Sequence, residues 1–226
     1  MKKDLIILHG ALGCSSQFTN GIPYLEDHFN LIFLDFPGHG KNEESNENLS
    51  IENCALYLQN QFKAHPLACI FGYSMGGYVA LWAAYNQLIK PTSIMTLATK
   101  FNWTPEFAIK ETKMMEPDNL MQIAPAFIEN LQKQHGAKWE YLLKKTSVMM
   151  TDLGNQVLLG EPELSIIDVP VCITVGFKDK MVSIEESLWA ARNIPKAEFE
   201  VFPKMQHPAE RINWEQLSFS MKAFFS

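Results

Sequence analysis

Ser74 sits between two glycines, each two positions away, in the segment Gly72-Tyr73-Ser74-Met75-Gly76-Gly77. The apolar stretch Ala68-Cys69-Ile70-Phe71 precedes it, and the helix-favouring run Tyr78-Val79-Ala80-Leu81 follows. A serine at the tip of a sharp strand-to-helix turn has strained backbone angles, so its neighbours two residues off must lack bulky side chains. Such a turn presents the hydroxyl for attack on a carbonyl. It also aims the backbone N–H of Met75, at the helix start, toward the oxyanion that the attack creates. A second donor is expected in Leu8-His9-Gly10-Ala11-Leu12-Gly13, where a strand ends in His-Gly and the loop folds back over the sheet edge. Ala11 N–H is the candidate. His9 reads as a residue that orients this loop, not as a proton carrier. Asp35 and His39, in the tight turn Asp35-Phe36-Pro37-Gly38-His39-Gly40, also read as loop-holding residues.

The elements that must position these groups alternate along the chain. Short apolar runs at Asp4–Leu8, Leu31–Asp35, Ala68–Gly72, Ser93–Leu97, Val171–Val175 and Glu198–Phe202 suit strands buried on both faces. Helices are expected at about Ser15–Glu26, Ile51–Lys63, Met75–Gln87, Ile184–Arg192 and Asn213–Phe225. That β-α-β-α order predicts an α/β fold: an open, mostly parallel sheet of about six strands with helices on both faces. The polar stretch over 41–50 reads as a solvated loop, with Ser50 capping the next helix. From Asn102 to about Glu163 only helical patterns occur, too long a stretch for a simple crossover. It is expected to be an inserted helical lid, dividing the chain into a core (1–101 and 164–226) and a lid (102–163). Thr104-Pro105-Glu106 marks a helix start. Trp139, Leu142, Leu143, Thr146, Met149, Met150 and Leu153 share one stripe, which Gly154 is expected to end.

With Leu8-His9-Gly10, Asp35-x-Pro37-Gly38-His39-Gly40 and Gly72-x-Ser74-x-Gly76-Gly77 in this order, the sequence resembles the α/β-hydrolase superfamily. The resemblance covers essentially the whole core and leaves the lid interval unmatched. In that superfamily the order is nucleophile, acid, histidine, with the acid after a late strand and the histidine after the last. Carried onto this chain, it points to Asp179, after Val171–Val175, and to His207, after Glu198–Phe202. Asp168 lies before its strand, Asp152 falls in the lid, and Ala98-Thr99-Lys100 after Ser93–Leu97 has no carboxylate. His28, His65 and His135 are expected on exposed helix ends or turns. Relatives often begin with an extra hairpin; this chain has only a few residues before the first strand, so six parallel strands in the order 2-1-3-4-5-6 are expected. Pro208 replaces the usual glycine after the histidine.

Composition narrows the partners. The 226 residues are 47% hydrophobic with net charge −6, and the sequence pI is about 5.5. This balance argues against nucleic acid, which needs clustered Lys and Arg; Lys144-Lys145 reads as a solvated helix face. No apolar stretch is long enough to span a bilayer, and the run Leu5–Leu8 is too short for a signal peptide. Cys14, Cys54, Cys69 and Cys172 are scattered without metal-ligand spacing, which favours a reduced, cytoplasmic protein. No metal or organic cofactor is implied, and the expected partner is a small-molecule substrate, with oligomeric state open. Leu12, Trp103, Met114, Met149 and Met181 are candidate pocket residues.

A serine nucleophile favours acyl transfer, so a hydrolase of a small or medium, mainly apolar ester or thioester is expected. The alternatives are a triad-dependent lyase or carbon–carbon hydrolase and a ligand receptor on the same scaffold. Gly72-Tyr73-Ser74-Met75-Gly76-Gly77 looks like the elbow of the menaquinone-pathway lyase, although Tyr78 stands where that group often has an arginine.

Overall fold

Strand β1 (Lys3–Leu8) turns Leu5 and Ile7 to one face of a sheet and Ile6 and Leu8 to the other, and all four are buried. The alternation of the pleat thus fills two separate apolar layers. The same holds in β3 (Cys69–Tyr73), where Ile70 joins one layer and Phe71 the opposite one. With β2 (Phe29–Leu34), β4 (Ile94–Leu97), β5 (Val171–Gly176) and β6 (Ala197–Phe202), they form one sheet ordered β2-β1-β3-β4-β5-β6. Every pairing is parallel. Strand order and direction agree with the sequence expectation. The computed structural model describes residues 2–43 and 48–226, so positions 44–47 of the expected polar loop lie outside the described residues.

One layer is closed by α2 (Ile51–Phe62), α3 (Met75–Tyr85) and α9 (Ile184–Asn193), which contribute Leu58, Val79 and Ala190 among others. The other is closed by α10 (Trp214–Phe225), whose Trp214, Leu217, Met221 and Phe225 repeat at helical spacing and meet Phe18 and Phe71. The expected helix Ser15–Glu26 is instead a 3-10 segment, Ser15–Gly21, followed by the single turn α1 (Ile22–Leu25). Pro23 explains the break: it has no N–H to give Thr19, and its ring would crowd the Thr19 carbonyl in a continuous helix. The Ile22 N–H takes that carbonyl instead.

Between β4 and β5 lie α4 (Pro105–Met114), α5 (Pro117–Ile123), α6 (Pro125–His135), α7 (Trp139–Asn155) and the turn α8 (Glu161–Leu164). Three of these starts follow from proline at the first helical position, and the Thr104 side chain caps α4 by accepting from Phe107 N–H at 3.1 Å. Gly154 does not end α7, which runs on to Asn155. A Cβ there would lie 2.5 Å from Ala108 Cβ, so the glycine lets α7 press against α4. Among the described residues no helix is long and apolar enough to cross a membrane, and the four cysteines are free and buried.

Candidate active site

Because all six strands run the same way, the loops after β1, β3, β5 and β6 emerge on one rim. Ser74 occupies the junction of β3 and α3 with φ 50 and ψ −116, a left-handed conformation that costs a non-glycine residue about 1–3 kcal/mol. Surrounding bonds hold it there. Ser74 N–H donates to Leu97 O at 2.8 Å, while Thr99 Oγ1 and Gly77 N–H both donate to Ser74 O at 3.0 Å. The flanking glycines are required by contact: a Cβ on Gly72 would lie 2.5 Å from Gly77 Cα, and one on Gly76 would lie 2.7 Å from His9 O.

Asp179 lies in the loop after β5 with its side chain fully buried. Its Oδ1 accepts from Met181 N–H at 2.8 Å and Val182 N–H at 2.9 Å, and its Oδ2 faces His207 Nδ1 at 2.9 Å. An ionised carboxylate can only accept, so Nδ1 carries the imidazole proton and Nε2 is left as the basic nitrogen. The loops carrying the two residues are stitched together: Phe177 N–H donates to Phe202 O and Lys178 N–H to Met205 O. The Tyr73 hydroxyl, adjacent to Ser74, donates to the His207 backbone carbonyl. Asp168, by contrast, is exposed in an ion pair with Lys196 at 2.6 Å.

Ser74 and His207 line one cavity of about 420 Å³, together with Ala11 and Met75. The expected pocket residues Leu12, Trp103, Met114, Met149 and Met181 all line it, joined by Met115, Leu120 and Met150. The walls therefore come from the core loops and from α4, α5, α6 and α7 together. Lys100, the lining lysine, has its ammonium 2.8 Å from Glu186 Oε2 and 4.2 Å from the Phe107 ring. Glu186 also accepts from Asn102 N–H and Ser183 N–H, so this buried charge is fully partnered. The Lys100–Glu186 pair escaped the sequence reading, although Ser183-x-x-Glu186 is a capping-box signature that marks Glu186 as engaged.

His9 sits under the loop as expected. Its Nε2 accepts from Phe36 N–H at 3.0 Å, so its Nδ1 is the donor to Gly10 O at 2.8 Å. Burial pushes its pKa down to about 4. Asp35 also has a loop-holding role, accepting from Ser15 N–H and Lys41 N–H. Two expectations about histidines need correction. His65 is half-buried, its Nδ1 2.8 Å from Asp4 Oδ2. His135 is only 3% exposed, because Ile128, Leu131 and His135 share the inward stripe of α6.

A family model described as alpha/beta hydrolase fold matches residues 4–124. The chain belongs to that family. Among alpha/beta hydrolase relatives, a candidate 2-succinyl-6-hydroxy-2,4-cyclohexadiene-1-carboxylate synthase of Haemophilus influenzae is 34% identical over 40% of this chain and 37% of its own length. A pimeloyl-[acyl-carrier protein] methyl ester esterase of Nitrosomonas europaea is 22% identical over 90% of this chain and 88% of its own. The first of these is thus matched over well under half its length. The crystal structure of NosK from Streptomyces actuosus superposes with TM-score 0.86 at 18% identity, covering 100% of this chain and 98% of that one. That likeness establishes the shared fold. Together these findings make the chain an alpha/beta hydrolase with relatives named for ester cleavage.

Proposed function

We propose that this alpha/beta hydrolase cleaves a small or medium, mainly apolar carboxylic ester or thioester through an acyl-enzyme on Ser74. In this reading the Ser74 hydroxyl attacks the acyl carbonyl as His207 Nε2 removes its proton. Asp179 holds the tautomer and balances the imidazolium charge. Ala11 and Met75 N–H groups receive the tetrahedral oxyanion. His207 then passes its proton to the leaving alcohol, and the same nitrogen activates water to release the acid. The observation that carries the reading is the 2.9 Å His207–Asp179 bond at a cavity that a left-handed Ser74 also lines.

Substrate class follows from the walls. Methionines 114, 115, 149 and 150 line the cavity, and their unbranched thioethers adapt to different acyl shapes. The Lys100 charge is already met by Glu186, which leaves it poorly placed to bind an anion. The Tyr78 hydroxyl accepts from Leu159 N–H at 3.0 Å and so is also engaged. Both features favour a neutral ester over the anionic substrate of a lyase, the reading that the Haemophilus relative supports. We further propose that residues 102–163 act as a lid over Ser74, and that the protein works in the cytoplasm on a small molecule. The four free cysteines support that compartment.

The test is fluorophosphonate labelling of the wild type and of Ser74→Ala, followed by p-nitrophenyl esters of increasing chain length. Labelling confined to the wild type, with steady turnover of neutral esters, is expected. A wild type that neither labels nor turns over any ester sinks the reading; a burst with almost no turnover points to a receptor.

A further inference from the structure

Leu12 is a non-glycine residue at φ 59, in the loop that carries the proposed oxyanion donor Ala11. Its carbonyl accepts a hydrogen bond from His135 Nε2 at 3.0 Å, across 123 residues of sequence and from the last residue of α6. The tautomer is fixed from the other side, because Gly40 N–H donates to His135 Nδ1 at 3.0 Å and Nε2 must then carry the proton. The imidazole is buried, and burial also lowers its pKa, keeping the ring in this neutral form.

A peptide group is planar, so whatever fixes its carbonyl also fixes its N–H. His135 holds the carbonyl of the Leu12–Gly13 peptide. The N–H of that same peptide, on Gly13, donates to Gly10 O at 3.1 Å. Gly10 O belongs to the Gly10–Ala11 peptide, whose N–H is the one proposed to meet the oxyanion. His9 Nδ1 grips the same oxygen at 2.8 Å. A continuous line of donors and acceptors therefore runs from the α6 imidazole through two peptide planes to Ala11 N–H. Each bond in such a line also polarises the next. The loop stands directly against the nucleophile: a Cβ on Gly10 would lie 3.1 Å from Ser74 Cβ.

We infer that His135 is a positioning residue for the oxyanion site, setting the Ala11 N–H through the Leu12–Gly13 and Gly10–Ala11 peptides. The helical segment between β4 and β5 thereby does more than wall the cavity, since docking α6 completes the site. The inference rests on the proposed role of Ala11. Asn130 on the same helix also reaches the core, donating to Glu210 Oε1, but at 3.4 Å between exposed groups. That weaker contact would not orient a peptide.

Side-chain geometry supplies the test. A glutamine amide nitrogen overlays Nε2 and can still donate to Leu12 O, whereas an asparagine carbonyl overlays Nδ1 and can satisfy only Gly40. In steady-state assays His135→Gln should keep kcat within about threefold of wild type. His135→Asn should lower kcat by about tenfold or more with KM little changed, because donor misplacement acts on the transition state. Equal kcat in the two variants, whether both unchanged or both reduced, overturns the inference.

If His135→Asn does not fold, His135→Ala is assayed with added imidazole or N-methylimidazole, which lacks the N–H donor. Imidazole should restore kcat and N-methylimidazole should not; equal effects of the two overturn the inference. Wild-type labelling by fluorophosphonate is measured alongside. Its absence would mean that the Ser74 reading has failed, whereas a labelled, active wild type with indistinguishable variants rejects His135 alone.

Discussion

Asp179 divides its two oxygens between two tasks: Oδ1 accepts from the Met181 and Val182 amides, and Oδ2 faces His207. Asp179→Asn can retain the first task through its carbonyl while turning an NH2 toward Nδ1. That nitrogen must then accept, which moves the proton to Nε2, where it can no longer take the one from Ser74. We expect kcat on a p-nitrophenyl ester to fall by about 10³–10⁴ with the melting temperature nearly unchanged. A fall below about tenfold in a folded variant would remove Asp179 from the proposed relay. Gly76→Ala should act differently. Its Cβ would lie 2.7 Å from His9 O and Leu8 Cβ, so strand β1 must shift at a cost of about 1–3 kcal/mol, readable by urea denaturation. Ser74, Asp179 and His207, the proposed relay, could be read as candidates from the sequence because each stands at a strand end with a local signal: glycine spacing, or a place in the superfamily order. His135 could not, because its partners are backbone groups of Leu12 and Gly40, distant in sequence and without side-chain signature. Ile128, Leu131 and His135 do fall at helical spacing, but a polar residue at a helix end is expected to face solvent.

At the scale of elements, contact between α4 and α7 depends on two small residues, Ala108 and Gly154. In an exposed helix Gly→Ala would stabilise by about 1 kcal/mol. Here the added methyl would meet Ala108 Cβ at 2.5 Å and Thr104 O at 3.0 Å. Overpacking of this kind costs about 1–3 kcal/mol and should outweigh the propensity gain. We therefore expect Gly154→Ala to destabilise the protein. Ala108→Gly in the same chain should recover more than additivity allows, with a coupling of about 1 kcal/mol or more in a double-mutant cycle. Simple additivity would mean that the two helices separate freely. Both helices line the cavity, through Met114 on α4 and Met149 on α7, so the same variant should shift chain-length preference among esters. Sequence pattern located these helices because their prolines and apolar stripes are local. It misassigned Gly154, since a glycine near a helix end signals termination unless the facing helix is known. Pro23, a break signal in its own right, falls inside the expected helix Ser15–Glu26 and divides it into the 3-10 segment and α1.

For the molecule as a whole, the histidines beneath the oxyanion loop tie stability to pH. His9, His39 and His135 adjoin in a row, the first pair tilted with ring centroids 4.8 Å apart and the second edge-on at 5.9 Å. Burial lowers all three pKa values, that of His9 to about 4, and repulsion from neighbouring imidazoles adds to the effect at His9 and His39. Asp35 pulls His9 and His135 the other way, and Lys138 pushes His39 and His135 further down. Each therefore protonates at lower pH in the folded protein than in the unfolded chain, which takes up protons as pH falls through about 6.5. Where the unfolded state binds more protons, stability rises with pH, so it must fall on acidification from about 6.5 toward 4. His9 contributes a slope of up to about 1.4 kcal/mol per pH unit across that window, and His39 and His135 add to it over the part that lies above their own lowered pKa values. The lowered carboxylates, Asp4 and Asp35, act only at still lower pH. One effect opposes this trend: acidification toward the pI of about 5.5 relieves the repulsion of a net charge of −6. Those charges are spread over the surface and screened within about 8 Å at physiological ionic strength, whereas the imidazoles titrate in a site that water does not reach. The histidines should win. Urea denaturation from pH 7.5 to 5 should show a steady loss of unfolding free energy, with His135→Gln reducing the slope. A free energy that is flat or rising toward pH 5 would mean that these histidines take up protons without unfolding the chain.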